Sequence, residues 1–364
     1  MVGRTLALLL AKQNLRVALV VPPADDRANP SQDVRAYALN AASKALLTAL
    51  TCWPDTPFAT PVLTMQVRGD GAGEVSFSAA ALHVPALAWV VDVPVLEAQL
   101  AQAVAAQPLI ALLDTPAPAR LRVICEGRAS ATRAALGVAF EVQPYAQQAV
   151  AARLRCQRPH AQVARQWFAN GEVLAFLPLD GADGCTVSVI WSLAAAAAPT
   201  LLASSAQDFC HQLRQTSQDE LGSLELLGPR RAWPLQAAQA QHWCGVQAGQ
   251  SWVLAGDAAH TVHPLAGQGL NLGLGDAAEL AHVLGQRDHW RTVNDKRLLR
   301  RYERARKAAL LTMGGASDGL YQLFAMQHGP WKTWRNWGMQ GFERSWGIKP
   351  WVARQAFGAA SLCP

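Results

Sequence analysis

Asp257 has the best-defined chemical opportunity in this sequence. It follows Gly256 at the end of a short apolar run, Trp252-Val253-Leu254-Ala255, and it precedes a loop that closes with Gly267-Gln268-Gly269-Leu270-Asn271. A carboxylate in that setting accepts hydrogen bonds from ligand hydroxyls. The N–H groups that open the next helix, with the positive end of its dipole, favour an electron-rich ligand atom. The combination makes a site for an anionic or polyhydroxylated ligand. Five glycines between Gly256 and Gly275 weigh against the plainer reading, a strand-turn-helix crossover with incidental glycines.

Three elements must position these groups. Residues 252–255 suit a buried strand bounded by glycine. Residues 256–269 form a loop with glycine where the backbone turns tightly or approaches a partner closely. Leu270, Leu274, Ala277, Ala281 and Leu284, spaced by fours and threes, mark one face of a helix. His260 and His263 flank the loop. The sequence names no partner for proton transfer, and no carboxylate stands at a metal-ligand spacing from them.

With 364 residues, 51% of them hydrophobic and 16% charged, the chain can bury large cores, and two domains are expected. No apolar run approaches the length of a membrane span. A net charge of +6 fits an anionic ligand or membrane surface without calling for nucleic acid, and no nucleic-acid motif is present. Seven scattered cysteines without a CxxC pair argue for a reducing compartment, free thiols and no structural metal.

The N-terminus reads as a helix and then a strand at residues 16–21, the second half of a β-α-β unit. In a dinucleotide-binding turn the helix follows G-x-G-x-x-G. Here only Gly3 can be the last of those glycines, which leads to the expectation that the natural start lies upstream of Met1. Val21-Pro22-Pro23 stands where an acidic residue usually meets a ribose. Arg35, in Asp33-Val34-Arg35, has a planar fork that matches oxyanions; the alternative is a salt bridge with Asp33 or Asp92. Residues 66–77 read as a hairpin, 96–106 as a helix, and 121–133 as strand, Glu126-Gly127 turn and helix. Strands are expected at 148–154, 173–177 and 186–191, and an amphipathic helix at 205–221. Residues 297–307 read as a helix with a solvated charged face. The tail interleaves Trp331, Trp334, Trp337, Trp346 and Trp351 with basic residues, the composition of a membrane-surface helix or of a packed helical cap.

The run from Gly256 to Asn271 resembles the flavin-binding segment of the FAD-dependent aromatic hydroxylases, the class A flavoprotein monooxygenases related to p-hydroxybenzoate hydroxylase. Within them it is most similar to the branch that hydroxylates ubiquinone precursors. The resemblance implies an α/β plus α+β fold. A Rossmann-like FAD-binding domain (1–60, 92–142 and 248–290), its first strand missing, carries an inserted β-sheet substrate domain (61–91 and 143–247). A helical region (291–364) follows. It also implies cofactor contacts at Gly3, Arg35, Glu126, Gly127, Gly256, Asp257, Gly267, Gly269, Leu270 and Asn271, with Pro264 beside the reactive face of the flavin. Glu126 replaces the family's usual Asp there, and Gly127, Ser130 and Arg133 match. The implied reaction uses FAD, NAD(P)H and dioxygen through a C4a-hydroperoxyflavin. The implied substrate is an aromatic, polyprenylated phenol, and the implied setting is the cytoplasm, peripheral at the inner membrane and in contact with a ubiquinone-biosynthesis complex. The alternatives are a hydroxylase of another aromatic metabolite and a degenerate flavoprotein that acts as a complex scaffold.

Overall fold

The structure is a computed structural model that describes residues 1–21, 33–69, 73–262 and 269–325, with side chains through 311. Pro264, Gly267 and the tryptophan-rich tail lie outside the described residues. The first helix, α1 (Val2–Lys12), is apolar on more than one side and is wedged between two cores. Leu6 and Leu10 enter one with Trp243, Leu254 and Tyr302; Ala7, Leu8 and Ala11 enter the other with Leu39, Leu96 and Leu100. Each large side chain fully buried this way contributes roughly 1.5–3 kcal/mol, so α1 anchors both halves of its surroundings.

β1 (Val17–Val20) runs parallel to β7 (Ile110–Leu113). β8 (Leu121–Ile124) runs parallel to β16 (Gln250–Leu254), which pairs antiparallel with β15 (Cys244–Gln247). Because β8 and β16 are parallel neighbours, the turns that follow them emerge side by side. That pairing puts Glu126-Gly127 next to Gly256-Asp257 at the carboxyl ends of strands, where ligands bind in α/β sheets. A third small sheet has the order β2 (Ala36–Leu39), β6 (Ala88–Asp92), β3 (Ala59–Val62).

The large sheet draws on residues 64–78, 140–240 and 260–261. Its strands are β4 (Thr64–Arg68), β5 (Glu74–Ser78), β9 (Phe140–Cys156), β10 (Val163–Ala169), β11 (Glu172–Leu179), β12 (Thr186–Ala194), β13 (Leu224–Leu226), β14 (Arg231–Ala240) and β17 (His260–Thr261). The order is β17-β14-β9-β12-β11-β10-β4-β5, with β13 also on β9. One face is covered by α5 (Ala198–Ala203) and α6 (Ala206–Thr216), whose Leu201, Phe209 and Leu213 pack on Leu154, Leu174, Phe176 and Val189. The remaining helices are α2 (Ala41–Ala49), α3 (Val93–Ala105), α4 (Ala131–Ala135), α7 (Gly269–Gly285) and α8 (Lys296–Ala325).

Several expectations are corrected here. The 148–154 strand is part of the C-terminal half of β9, a 17-residue strand that pairs with β14 along one edge and β12 along the other. β10 has no counterpart in the sequence reading. The helix expected to reach residue 221 stops at Thr216, because Gln218 and Asp219 adopt left-handed conformations (φ 55° and 57°). The charged stretch 297–307 is not a solvated face throughout: Leu298, Leu299, Tyr302 and Glu303 are buried. Among the described residues no helix is long and apolar enough to cross a membrane.

Candidate functional site

Gly256 sits in a left-handed conformation (φ 63°), and a Cβ there would press on Val2 at 3.3 Å. Both facts restrict the position to glycine. The turn is then held from one side by Asp276 on α7. The Gly256 N–H donates to Asp276 Oδ2 at 2.8 Å. His260 Nε2 lies 2.7 Å from the same oxygen, and Arg306 Nε donates to Oδ1 at 2.6 Å. Asp276 is fully buried. Burial alone would raise its carboxyl, but His260 and then Arg306 outweigh that and hold it below the ordinary carboxylate range. With Asp276 ionised, His260 presents a proton on Nε2 to it. The imidazole is also stacked on Trp243, ring centres 4.9 Å apart.

On the other side the turn is tied to the large sheet. β17 pairs with β14 through Gln239↔His260 and Ala238↔Thr261, and Ala240 N–H donates to the Ala259 carbonyl at 2.8 Å. Arg133, buried on α4, donates to the Ala258 carbonyl at 3.0 Å and to the Arg128 carbonyl at 2.9 Å, and it stacks over Phe140. The 256–261 segment is thus clamped by α7, α4 and β14.

Asp257 itself is exposed to solvent, with chain close around its carboxyl group. That crowding raises its carboxyl above the ordinary value; Asp276 adds to the rise, while His260 and Arg128 oppose it. An accessible, poorly solvated carboxylate is suited to accept hydrogen bonds from ligand hydroxyls, because a ligand then supplies what water cannot.

Gly269, Leu270 and Asn271 form the first turn of α7, where N–H groups have no intrahelical acceptor. A Cβ on Gly269 would meet nothing within 4 Å, whereas Leu270 is buried among Leu39, Leu96 and Leu274. The Asn271 side chain is fully engaged: Oδ1 accepts from Asn40 N–H (3.0 Å) and Ser43 Oγ (2.7 Å), and Nδ2 donates to the Ala38 carbonyl (2.8 Å). Asn271 therefore ties the start of α7 to the junction of β2 and α2, and only its backbone can face a ligand. Gly273 and Gly275 are packing glycines, with Val2 Cγ2 at 2.7 Å and Arg306 Nη2 at 3.0 Å from the Cβ each would carry.

Four more predicted residues lie around this turn, and Glu126 and Arg35 among them already have side-chain partners. Gly3 lies at the first turn of α1, where a Cβ would come 3.3 Å from that of Cys125, so it permits close helix–strand packing. Gly127 has φ 78° and an open Cβ direction. Glu126 accepts from Ser130 Oγ (2.7 Å), Thr132 N–H (3.0 Å) and the Thr132 hydroxyl, which makes it part of the α4 cap. Partial burial works to raise its carboxyl, but Thr132 and Ser130 prevail and lower it. The Arg35 guanidinium is paired with Asp33, Nε–Oδ1 2.9 Å and Nη2–Oδ2 2.6 Å, and that hydrogen bonding raises its already high pKa. Asp92 pairs instead with Arg153 on β9 (2.6 Å), whose Nη2 also donates to the Arg35 carbonyl (3.3 Å).

Sequence reasoning did not single out Asp276, Trp243, Arg306 or the role of Arg133. The i, i+20 relation of Gly256 to Asp276 has no periodic signal. Only an aspartate on the apolar face of α7, among Leu272, Leu280 and Leu284, hints that a buried partner exists.

Parallel strands ending in a glycine-acid turn, a helix N-terminus opposite, and a mostly antiparallel sheet stitched to that turn define a dinucleotide-cofactor-binding protein with a second, larger sheet attached. Residues 116–313 match the FAD-binding-domain family. The chain is 30% identical to 3-demethoxyubiquinol 3-hydroxylase of Escherichia coli, over 98% of this chain and 96% of that protein. It is 33% identical to the ubiquinone hydroxylase UbiL of Rhodospirillum rubrum, over 68% of this chain and 56% of UbiL. An uncharacterised Synechocystis protein is 33% identical over 61% of this chain. The chain spans about half the length of these last two relatives, 56% and 52%. Among solved structures, Pseudomonas aeruginosa PqsL in complex with 2-aminobenzoylacetate superposes with a TM-score of 0.73 at 19% identity, covering 93% of this chain and 96% of PqsL. The p-nitrophenol 4-monooxygenase PnpA of Pseudomonas putida gives 0.71 at 15% identity, covering 98% and 94%. The chain belongs to the ubiquinone-hydroxylase branch of the FAD-binding-domain family, and FAD is its cofactor.

Proposed function

We propose that this protein is a monooxygenase that hydroxylates the ring of a polyprenylated phenol in ubiquinone biosynthesis, with NAD(P)H as reductant and dioxygen as oxidant. The observation that carries the reading is the near end-to-end likeness to 3-demethoxyubiquinol 3-hydroxylase. The accessible Asp257 in its clamped turn supports it. Bound FAD supplies the chemistry, accepting electrons and delivering one oxygen atom to the ring. The chain's own residues bind and orient. Asp257 accepts hydrogen bonds from the cofactor's polyol chain. The N–H groups of Gly269, Leu270 and Asn271 stabilise negative charge that builds on the isoalloxazine edge. Gly3 and Gly127 let backbone approach the diphosphate. Arg35 and Glu126 take part by rearranging their present bonds. The large sheet, tied to the same turn by β17, forms the wall against which an aromatic substrate is held. We place the protein in the cytoplasm at the membrane periphery, where a lipid-like substrate resides.

The test is reconstitution of the full chain with FAD. The expected result is a yellow protein that oxidises NADH or NADPH faster when a prenylated phenol is added and yields a product heavier by one oxygen. A chain that binds FAD but shows no substrate-stimulated oxidation, in a strain whose quinone profile is unchanged by deletion of the gene, overturns the reading. A second reading, a flavoprotein retained as a scaffold, is favoured by the engagement of Arg35 with Asp33 and of Glu126 with the α4 cap. It predicts a yellow, FAD-loaded protein whose NAD(P)H oxidation no prenylated phenol accelerates.

A further inference from the structure

The register of β9 against β12 runs Val187↔Leu154 and Thr186↔Arg155. Continued by one residue it sets Cys185 directly opposite Cys156. The Cys156 N–H donates to the Cys185 carbonyl at 2.6 Å, so the two face each other one residue past the β9–β12 ladder. Residues directly opposed in antiparallel chains have Cα atoms about 4.5–5.5 Å apart, inside the roughly 4.4–6.8 Å span that a disulfide bridges. Their side chains also leave the sheet on the same face, here the face of Leu154 and Val187 beneath α6. Both thiols are free, Cys156 buried and Cys185 half-buried.

The loop that delivers Cys185 is held in place. His160 Nε2 lies 2.6 Å from the Leu179 carbonyl, and the His160 N–H donates to the Gly184 carbonyl at 3.2 Å. A Cβ on Gly184 would fall 2.8 Å from the His160 ring, so only glycine lets the loop close there. Cys156 is fixed on its other side by β13, through Leu224↔Cys156.

We infer that Cys156 and Cys185 are a peroxide-oxidisable pair that forms a disulfide between the end of β9 and the residue that leads into β12. Cys185, the more accessible thiol, reacts first. Its thiolate sulfur attacks hydrogen peroxide, an S–O bond forms, the O–O bond breaks, and the departing hydroxide takes a proton and leaves as water. The sulfur of Cys156 then attacks the sulfenic sulfur of Cys185. The S–S bond forms, the S–OH bond breaks, and the hydroxide leaves as water with the Cys156 proton. Two thiols are oxidised by two electrons in all, and one peroxide becomes two waters. Burial pushes the Cys156 thiol up to about 12, and neighbouring Cys185 adds to the rise. Cys156 is therefore a poor first target and acts only on a sulfur already beside it. The step needs neither FAD nor turnover, so it stands apart from the functional proposal.

The experiment treats the reduced full-length protein with hydrogen peroxide and then alkylates it under denaturing conditions. The expected result is loss of two titratable thiols and, by tandem mass spectrometry, one linked peptide pair joined through Cys156 and Cys185, reversed by dithiothreitol. Cys185→Ser, a change at a half-buried position, is expected to abolish the link. Cys156→Ala is expected to leave Cys185 as a sulfenic acid that dimedone traps. Persistence of both thiols in the wild type, or a link that joins either cysteine to another residue instead, overturns the inference. Should Cys156→Ala fail to fold, the wild type and Cys185→Ser decide the matter between them.

Discussion

Replacing Asp276 with Asn tests whether one buried carboxylate organises the site. The substitution keeps shape and volume but removes the charge that faces Gly256 N–H, His260 Nε2 and Arg306 Nε at 2.6–2.8 Å. Hydrogen bonds to charged groups contribute about 1.5–3 kcal/mol each. Summing three would overshoot, since they share one acceptor group and Asn retains an oxygen. The better guide is the loss of one partner from a buried ion pair, about 3–5 kcal/mol. Arg306 keeps its bond to the Leu272 carbonyl (3.1 Å), which favours the lower end, about 3 kcal/mol. Against a typical total stability of about 5–15 kcal/mol, that is a large fraction. The pH dependence gives an independent check. The Asp276 carboxyl is depressed in the folded state, with burial opposing and His260 and Arg306 prevailing. Its stabilisation is present above the unfolded carboxylate pKa and is lost as pH falls through the lower folded value. Urea denaturation of wild type and Asp276→Asn, followed by tryptophan fluorescence, should show the difference in full at neutral pH and a narrowing gap below about pH 4. FAD retention should weaken in the variant, because Gly256-Asp257 loses its anchor. A variant within about 0.5 kcal/mol of wild type, the ordinary range of surface changes, with an unaltered acid limb, would refute the reasoning.

Asp257→Asn should weaken FAD retention, measured by flavin release on gel filtration, while the apoprotein is no less stable at neutral pH. The Asp257 carboxyl is raised by crowding, so the charged form costs stability as pH rises through that value, and a neutral amide removes the cost. Gly273→Ala should destabilise by about 1–3 kcal/mol through overpacking against Val2 Cγ2, which would lie 2.7 Å from the new Cβ. Val2→Ala in the same chain should restore part of the loss, and additive effects in a double-mutant cycle of melting curves would argue against the contact. Tyr302→Phe should cost about 1 kcal/mol in denaturant unfolding, since its hydroxyl donates to the buried Leu254 carbonyl at 3.0 Å. Asn271→Ala leaves Ser43 Oγ and the Ala38 carbonyl without their partner, and hydrogen exchange should show faster opening at the start of α7.

Much of the architecture was legible because it is local. The apolar run 252–254, the glycine that ends it and the fours-and-threes spacing of Leu270, Leu274 and Ala277 are patterns a few residues long, and they became β16, the Gly256 turn and α7. The hairpin at 66–77 and the Glu126-Gly127 turn were readable for the same reason. β10 was missed because Val163-Ala164-Arg165-Gln166-Trp167 does not alternate cleanly; the sheet holds it by pairing with both β4 and β11. The solvated face expected for residues 297–307 is there, with Arg297, Arg300, Arg301 and Arg304 exposed, but charge density hid Tyr302 and Glu303, which are buried against Trp243 and its neighbours.

By itself the sequence determined the kind of site this protein has, a glycine-acid turn before a helix N-terminus, because that chemistry needs particular residue types at short fixed spacings. Tertiary structure alone decided which groups are free to use it. It turned Asn271 inward to Ala38, Asn40 and Ser43, and gave His260 a buried carboxylate 16 positions away. Those outcomes depend on which chain segments meet in space, and a hydrogen bond between remote residues leaves no periodic trace along the chain.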